Sequence, residues 1–305
     1  MAGRRIGLFL RAVGNDYQDL LREDCQLAAD RRGLSLEVFS ADGDGDKQIR
    51  QIRNCLDSPE ILRPIAMLVS PVRESVLLTA AREAARMDIG WIILNRWNDN
   101  LLDLRGEFPR LPIFAVNPDQ KEVGRIQARQ FKILLPQGGE LLYIQGPMGT
   151  SSALRRFTGM REELEAAPIN VVTFNSDWSS EGGERATREW LRIFGSRPLA
   201  PHVVGAQNDN MAMGARKALM DRAGVQQRAA GSQSPVTGCD GSPAYGQRLV
   251  KIGRLTATVV IPPVAGRAVD ELASMLETGR SPPAEIVVSV SSYPDLARLA
   301  RLSAR

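Results

Sequence analysis

The chain has 305 residues, a formal net charge of +4, 43% hydrophobic residues and 24% charged residues, the composition of an ordinary globular chain long enough for two lobes. No apolar run approaches the ~18 residues needed to cross a bilayer, and the basic residues are spread without a block of about five or six that would suggest a nucleic-acid-binding stripe. Three widely spaced cysteines, Cys25, Cys55 and Cys239, fit neither a disulfide framework nor a metal knuckle and are expected as free buried thiols.

Residues 4–10 read as a buried strand. Leu20, Leu21, Cys25, Leu27 and Ala28 then form a helical stripe closed by Gly33, a C′ position. A strand is expected at 34–39, a helix at 48–56, a strand at 65–69, a helix at 75–87 and a strand at 91–94. An apolar run at 111–116 leads into Asn117-Pro118, which reads as the N-cap and N1 proline of the next helix. The rhythm restarts with helices at 120–134, 152–165, 181–194, 211–222, 243–249 and 264–277. Strands at 140–145, 170–174, 202–206, 236–239, 256–261 and 285–290 interleave with them. Such alternation predicts right-handed βαβ units on parallel sheets, and two sets in succession predict an α/β chain of two doubly wound lobes with a cleft between them.

In open sheets of this kind ligands bind outside the carboxyl ends of the strands, so the polar strand exits carry the functional signal. Val203-Val204-Gly205-Ala206 runs into Gln207-Asn208-Asp209-Asn210, where Asn208 or Asp209 can cap the following helix while the other faces the crevice. Gly14-Asn15-Asp16-Tyr17 follows the first strand and Leu94-Asn95-Arg96-Trp97 ends the fourth. The stretch from Gln145 to Phe157 leaves a strand through a Gly-rich loop that lacks the Gly-Lys-Ser/Thr of a phosphate cradle, with Ser151 or Ser152 as helix cap. Asp177-Trp178 and Gly238-Cys239-Asp240-Gly241 follow two further strands, the latter also explicable as a turn. His202, the only histidine, starts a strand at the end remote from these exits and reads as structural. The calcium-loop-like run from Asp42 to Asp46 has Lys47 in place of the required Gly and Arg53 in place of the bidentate Glu, so it reads as a solvated turn.

The words Ala-Gln-Asn-Asp-Asn-Met-Ala-Met-Gly at 206–214 resemble a signature of the type I periplasmic sugar-binding proteins, the family of ribose-binding protein. The resemblance runs through six motifs in order from Gly7 to Val290. It implies that family's fold, with one lobe of residues 1–116 plus 262–290 and another of 117–261 plus 291–305, joined by a hinge of three crossings near 115–117, 261–263 and 290–292. By the same resemblance Asn15, Asn95, Arg96, Arg156, Asn208 and Asp240 hold sugar hydroxyls, and Tyr17 and Trp178 pack on the sugar ring. The chain departs from the ribose pattern at three of the family's positions. Gln18 replaces a second aromatic, Asn95 replaces a carboxylate, and Ile261 replaces a glutamine near the hinge.

The implied function is a receptor that closes around a monosaccharide or sugar-like polyol and presents it to the membrane subunits of an ABC transporter or to a sensor. Its location would be periplasmic after removal of a signal peptide, or cytoplasmic if Met1 is native. The alternative is the effector-binding part of a lactose-repressor-type regulator, for which a preceding helix-turn-helix of about 60 residues would be expected, or a sensory input domain with 296–305 as a linker. A dinucleotide-dependent enzyme is disfavoured, because the first β–α turn lacks Gly-x-Gly-x-x-Gly and no base-plus-nucleophile pair is evident. No catalytic residue, cofactor, metal, nucleic-acid partner or membrane insertion is expected of this chain.

Overall fold

A computed structural model describes residues 3–12, 16–73, 77–96, 100–194, 202–226 and 234–304. The chain begins with β1 (Arg5–Leu10), α1 (Asp16–Arg32), β2 (Ser35–Ser40), α2 (Gly45–Leu56), β3 (Ala66–Val69), α3 (Leu78–Arg86), β4 (Gly90–Leu94), α4 (Asn100–Glu107) and β5 (Ile113–Pro118). It continues with α5 (Gln120–Leu134), β6 (Gly139–Gln145), α6 (Ser151–Leu164), β7 (Ile169–Asn175), α7 (Ser180–Phe194), β8 (His202–Ala206), α8 (Asp209–Gln226), β9 (Val236–Asp240), α9 (Gly246–Lys251) and β10 (Ala257–Val260). The last elements are α10 (Ala265–Thr278), β11 (Glu285–Val288), β12 (Ser291–Tyr293) and α11 (Leu296–Ser303).

These elements form two compact units, Met1–Pro118 with Pro263–Val288 and Asp119–Pro262 with Ser289–Arg305. The first unit has the strand order β11-β5-β4-β3-β1-β2 and the second β12-β10-β9-β8-β6-β7. In each sheet the order reverses beside the unit's first strand, between β1 and β3 in one and between β6 and β8 in the other, which is where doubly wound sheets offer a crevice to a ligand. The strands β1, β3, β4 and β5 are almost wholly buried, as parallel strands covered by helices on both faces must be, whereas the edge strands β2 and β7 are half-exposed. The carboxyl ends are level. Phe9 pairs with Val69, Val69 with Ile93, and Ile144 with both Phe174 and Ala206.

Several elements differ from the expectation. Asn117 and Pro118 are not a helix cap but the end of β5, where the Asn117 side chain donates to Glu285 at 2.8 Å. Asp119 caps α5 instead, accepting from the N–H groups of Lys121 and Glu122. Thr150, rather than Ser151 or Ser152, stands at the cap position of α6. The short helix α4 was not expected, since only Leu101 and Leu104 mark its buried side. The carboxyl-terminal stretch is no linker. β12 adds to β10 as an antiparallel edge and α11 follows it with Leu299 buried. Asp44 caps α2 directly, so the acidic run at 42–46 is a turn and helix start.

In the second unit two helix pairs approach at backbone contact because glycine lines both sides of each crossing. A Cβ on Gly124 would lie 1.9 Å from the carbonyl oxygen of Arg156, and one on Gly159 would lie 2.0 Å from that of Lys121, joining α5 to α6. Gly183 and Gly214 do the same for α7 and α8, with 2.2 Å to the Met211 carbonyl oxygen and 1.8 Å to that of Ser180. Backbone cannot move aside as a flexible side chain can. Gly159→Ala is therefore expected to destabilise the protein by about 1–3 kcal/mol in urea unfolding. Gly106→Ala in α4, where nothing lies within 4 Å of the added carbon, is expected to be neutral or slightly stabilising; equal effects would show that the helix crossing is not tight.

Candidate functional site

In the first unit the strand exits β1 and β4 are tied together over the end of β3. Tyr17, in the first turn of α1, donates its hydroxyl to Asn95 Oδ1 at 2.9 Å. Asn95 stands just past β4 in the left-handed region, at φ 64°, and its Nδ2 is buried with no protein acceptor. Gln18 is buried and accepts the N–H of Arg11 through Oε1 at 3.0 Å, which fixes the turn out of β1. Arg96 is only 4% exposed and lines a small cavity with Pro71, Leu77, Trp91, Ile93 and Leu101. It is therefore not a surface arginine. Asn15 lies outside the described residues.

In the second unit four neighbouring strand exits, those of β7, β6, β8 and β9, bring Trp178, Arg156, Asn208 and Asp240 together. Arg156 projects from the second turn of α6 and is buried. Its Nε donates to Gln120 Oε1 of α5 at 2.6 Å, Nη1 donates to the carbonyl of Gln207, and the same nitrogen lies 3.9 Å from Asp240 Oδ1. The guanidinium carbon stands 5.7 Å from the centre of the Trp178 ring, within cation–π range. A charge so deeply buried is tolerated because acceptors on two sides of the fork and a nearby carboxylate replace its lost hydration.

Each end of the Asn208 amide makes one hydrogen bond to the protein, which leaves a second Nδ2 hydrogen. Oδ1 accepts the N–H of Met211 at 2.8 Å, capping α8, and Nδ2 donates to the carbonyl of Trp178 at 2.9 Å. Beneath it runs a wholly buried chain. Tyr143 donates to Gln127, Gln127 donates to the Ala206 carbonyl, and Gln207 donates to the Tyr143 hydroxyl and the Ala153 carbonyl while accepting from Gly146. Burial raises the Tyr143 hydroxyl well above the usual phenol range, so it stays a donor. Ile261, 1% exposed, donates its backbone N–H to the Asp240 carbonyl at 3.0 Å. Its place is in the packing behind Asp240.

Backbone strain gathers at these residues. Among the described residues the non-glycines at positive φ are Asp42, Asp88, Asn95, Trp178 and Asp240, with Trp178 at 71° and Asp240 at 95°. Each such residue costs ~1–3 kcal/mol, and strain of this kind clusters at ligand-binding sites. Trp178 is the outlier, since a bulky side chain has no local compensation there. Its ring sits against Gly146, where a Cβ would meet it at 2.1 Å, and its Nε1 is buried without a protein acceptor. Buried donors are nearly always satisfied. Trp178 and Asn95 thus carry groups that a bound acceptor would complete.

The chain matches the periplasmic binding protein domain over residues 6–281. It belongs to that family. Among its relatives, the ribose import binding protein of Escherichia coli (strain K12) is 26% identical over 262 residues, 85% of this chain and 79% of that protein. The D-ribose/D-allose-binding protein of Pseudomonas aeruginosa is 26% identical over 265 residues, 83% of this chain and 76% of that one. Among solved structures, an ABC transporter periplasmic solute binding protein from Actinobacillus succinogenes 130z with bound D-allose superposes with a TM-score of 0.81 at 21% identity, covering 98% of this chain and 99% of that one. The fold is thus the two-lobed α/β fold of periplasmic binding proteins.

The residues that the family resemblance singles out fall into two groups, Arg156, Trp178, Asn208 and Asp240 in one unit and Tyr17 with Asn95 in the other. Sequence reasoning misses Gln120 altogether, and it names Gln207 and Asp209 at the exit of β8 without their contacts to Arg156 and Gly241. His202 packs its ring on Trp190 at 5.4 Å and hydrogen-bonds Ser234, a structural role. The three cysteines are free and buried. Burial pushes the Cys25 thiol up to about 12, with Asp24 adding to it, and pushes Cys239 up to about 12 although Arg156 pulls the other way. Since only the thiolate reacts, Cys25 and Cys239 are expected to resist a disulfide exchange reagent at about pH 8 in the native protein and to react in urea. Rapid native labelling of Cys239 would mean that β9 is open to solvent.

Proposed function

We propose that this chain is a solute receptor that binds a monosaccharide or sugar-like polyol and delivers it to the membrane subunits of an ABC transporter from the periplasm. Within each unit the strand-end residues are the candidate ligand contacts. The observation that carries the reading is the buried cluster of Arg156, Asp240, Trp178 and Asn208 on four successive strand exits. Such a cluster offers fixed donors and one carboxylate to vicinal hydroxyls, and its strain is otherwise unaccounted for. The named import and sugar-binding relatives support the substrate class and the transporter partner. Asn95 and Arg96 in the first unit, with Tyr17 as their neighbour, complete the proposed set. Asn15 stays in it as a holder of a sugar hydroxyl, and Gln18 and Ile261 as residues beside the ligand-facing ones.

The packing alters how Trp178 serves. With the Arg156 guanidinium over its ring, the indole is a partner of the arginine and an N–H donor before it is a stacking face. A thermal-shift screen against pentoses, hexoses and their alcohols tests the reading as a whole. A ligand at 100 times its dissociation constant adds about 2.7 kcal/mol of stability, and a flat response across the panel would overturn it. Arg156→Ala is expected to keep the fold and weaken binding by at least about tenfold, since truncating a buried charge partner typically costs 2–5 kcal/mol. Trp178→Phe separates the two roles of the ring by calorimetry. It is expected to bind about as poorly as Trp178→Ala if the N–H is what matters, and near wild-type if stacking is.

A further inference from the structure

Asp209 is the first residue of α8 and is 2% exposed, yet it does not cap its own helix, a task taken by Asn208. Its carboxylate reaches sideways to two other elements. Oδ2 accepts the backbone N–H of Gly241 at 2.8 Å and Oδ1 accepts the hydroxyl of Thr258, in β10, at 2.7 Å. Room for it is made by absent side chains. A Cβ on Gly238 would lie 2.0 Å from Oδ1, and one on Gly246 would lie 2.0 Å from Oδ2.

The residue whose N–H it accepts, Gly241, directly follows Asp240. Asp240 and Gly241 are consecutive residues at positive φ, 95° and 58°, a turn that an L-residue in the first position does not adopt unaided. The peptide joining them ends in the N–H that Asp209 accepts, so the carboxylate fixes the plane of that peptide. The same hydrogen bond satisfies a buried backbone donor that would otherwise be costly. Fixing that plane directs the Asp240 side chain, whose Oδ1 then stands 3.9 Å from Arg156.

We propose that Asp209 is a positioning residue for the ligand site: it never meets the ligand and acts by holding the Asp240-Gly241 turn in its strained form, so that Asp240 faces the ligand beside Arg156. This rests on Asp240 serving the ligand, as proposed above. Asp209→Asn keeps the shape but offers one acceptor in place of two to the Gly241 N–H and the Thr258 hydroxyl. Thr258→Val is the milder companion, removing the hydroxyl that anchors the carboxylate's other oxygen and so loosening its hold on the turn.

The test has a ligand-free arm and a binding arm. Amide hydrogen exchange of Gly241 is expected to speed up by about tenfold or more in Asp209→Asn, and by less in Thr258→Val, while the amides of β8 keep their protection. Should Asp209→Asn fail to fold, Thr258→Val alone decides this arm, and unchanged Gly241 protection overturns the proposal. The binding arm uses whichever of D-ribose, D-allose and xylitol shifts the wild-type melting curve most. Asp209→Asn is expected to weaken binding about tenfold in the wild-type background and not at all in the Asp240→Ala background, as residues of one network couple. An equal loss in both backgrounds overturns the proposal, because Asp209 would then act on the ligand by another route. If Asp240→Ala itself leaves affinity unchanged, it is the assignment of Asp240 to the site that fails, and the exchange result still stands on its own.

Discussion

A guanidinium inside a protein has to be fully partnered, and the architecture of the second unit follows from meeting that demand at Arg156. Its partners come from three elements that are distant in sequence. Gln120 is on α5, the Gln207 carbonyl is at the end of β8, and Asp240 is at the end of β9. They can converge only if α5 and α6 touch backbone to backbone, which Gly124 and Gly159 permit. An alanine at either position would hold the helices apart by more than the tolerance of a hydrogen bond.

The layer beneath is polar and wholly satisfied, whereas the layer above is strained and incomplete. Tyr143, Gln127 and Gln207 close their hydrogen bonds on one another and on backbone. Such a network rigidifies when complete. Above it, Trp178 and Asp240 keep backbone conformations that cost free energy. A rigid floor lets the upper layer remain in a conformation it would not choose, which is what a preorganised binding surface requires.

How much of this is legible in the residues depends on how local the determining physics is. The alternation of buried runs and helical stripes exposed the sheet-and-helix order, because each burial pattern is written into a few adjacent residues. α4 escaped because two leucines at helical spacing are too few to set a period. The end of β5 was misread because Asn117-Pro118 is a good cap locally, and only the pairing with β11 shows otherwise. Family motifs at the strand exits singled out Arg156, Trp178, Asn208 and Asp240, and the structure brings those four together because the exits are neighbours in the sheet. Nothing local reveals that Gln120 meets Arg156 or that Asp209 meets Gly241. Those contacts are set by helix register and by glycines whose purpose is visible only in three dimensions.

Neither unit is built from one continuous piece of chain, and this bears on synthesis. The first unit lacks α10 and β11 until residue 288 has emerged, and before then the edge of β5 that β11 will occupy is open. The second unit awaits β12 and α11 from residues 291–303. Both sheets therefore stay open until the segment 285–293 has been made, and an unpaired parallel edge is the kind of surface that invites association with another chain. A ribosome that stalls before residue 285 would release a chain with two unfinished halves rather than one finished lobe and one missing.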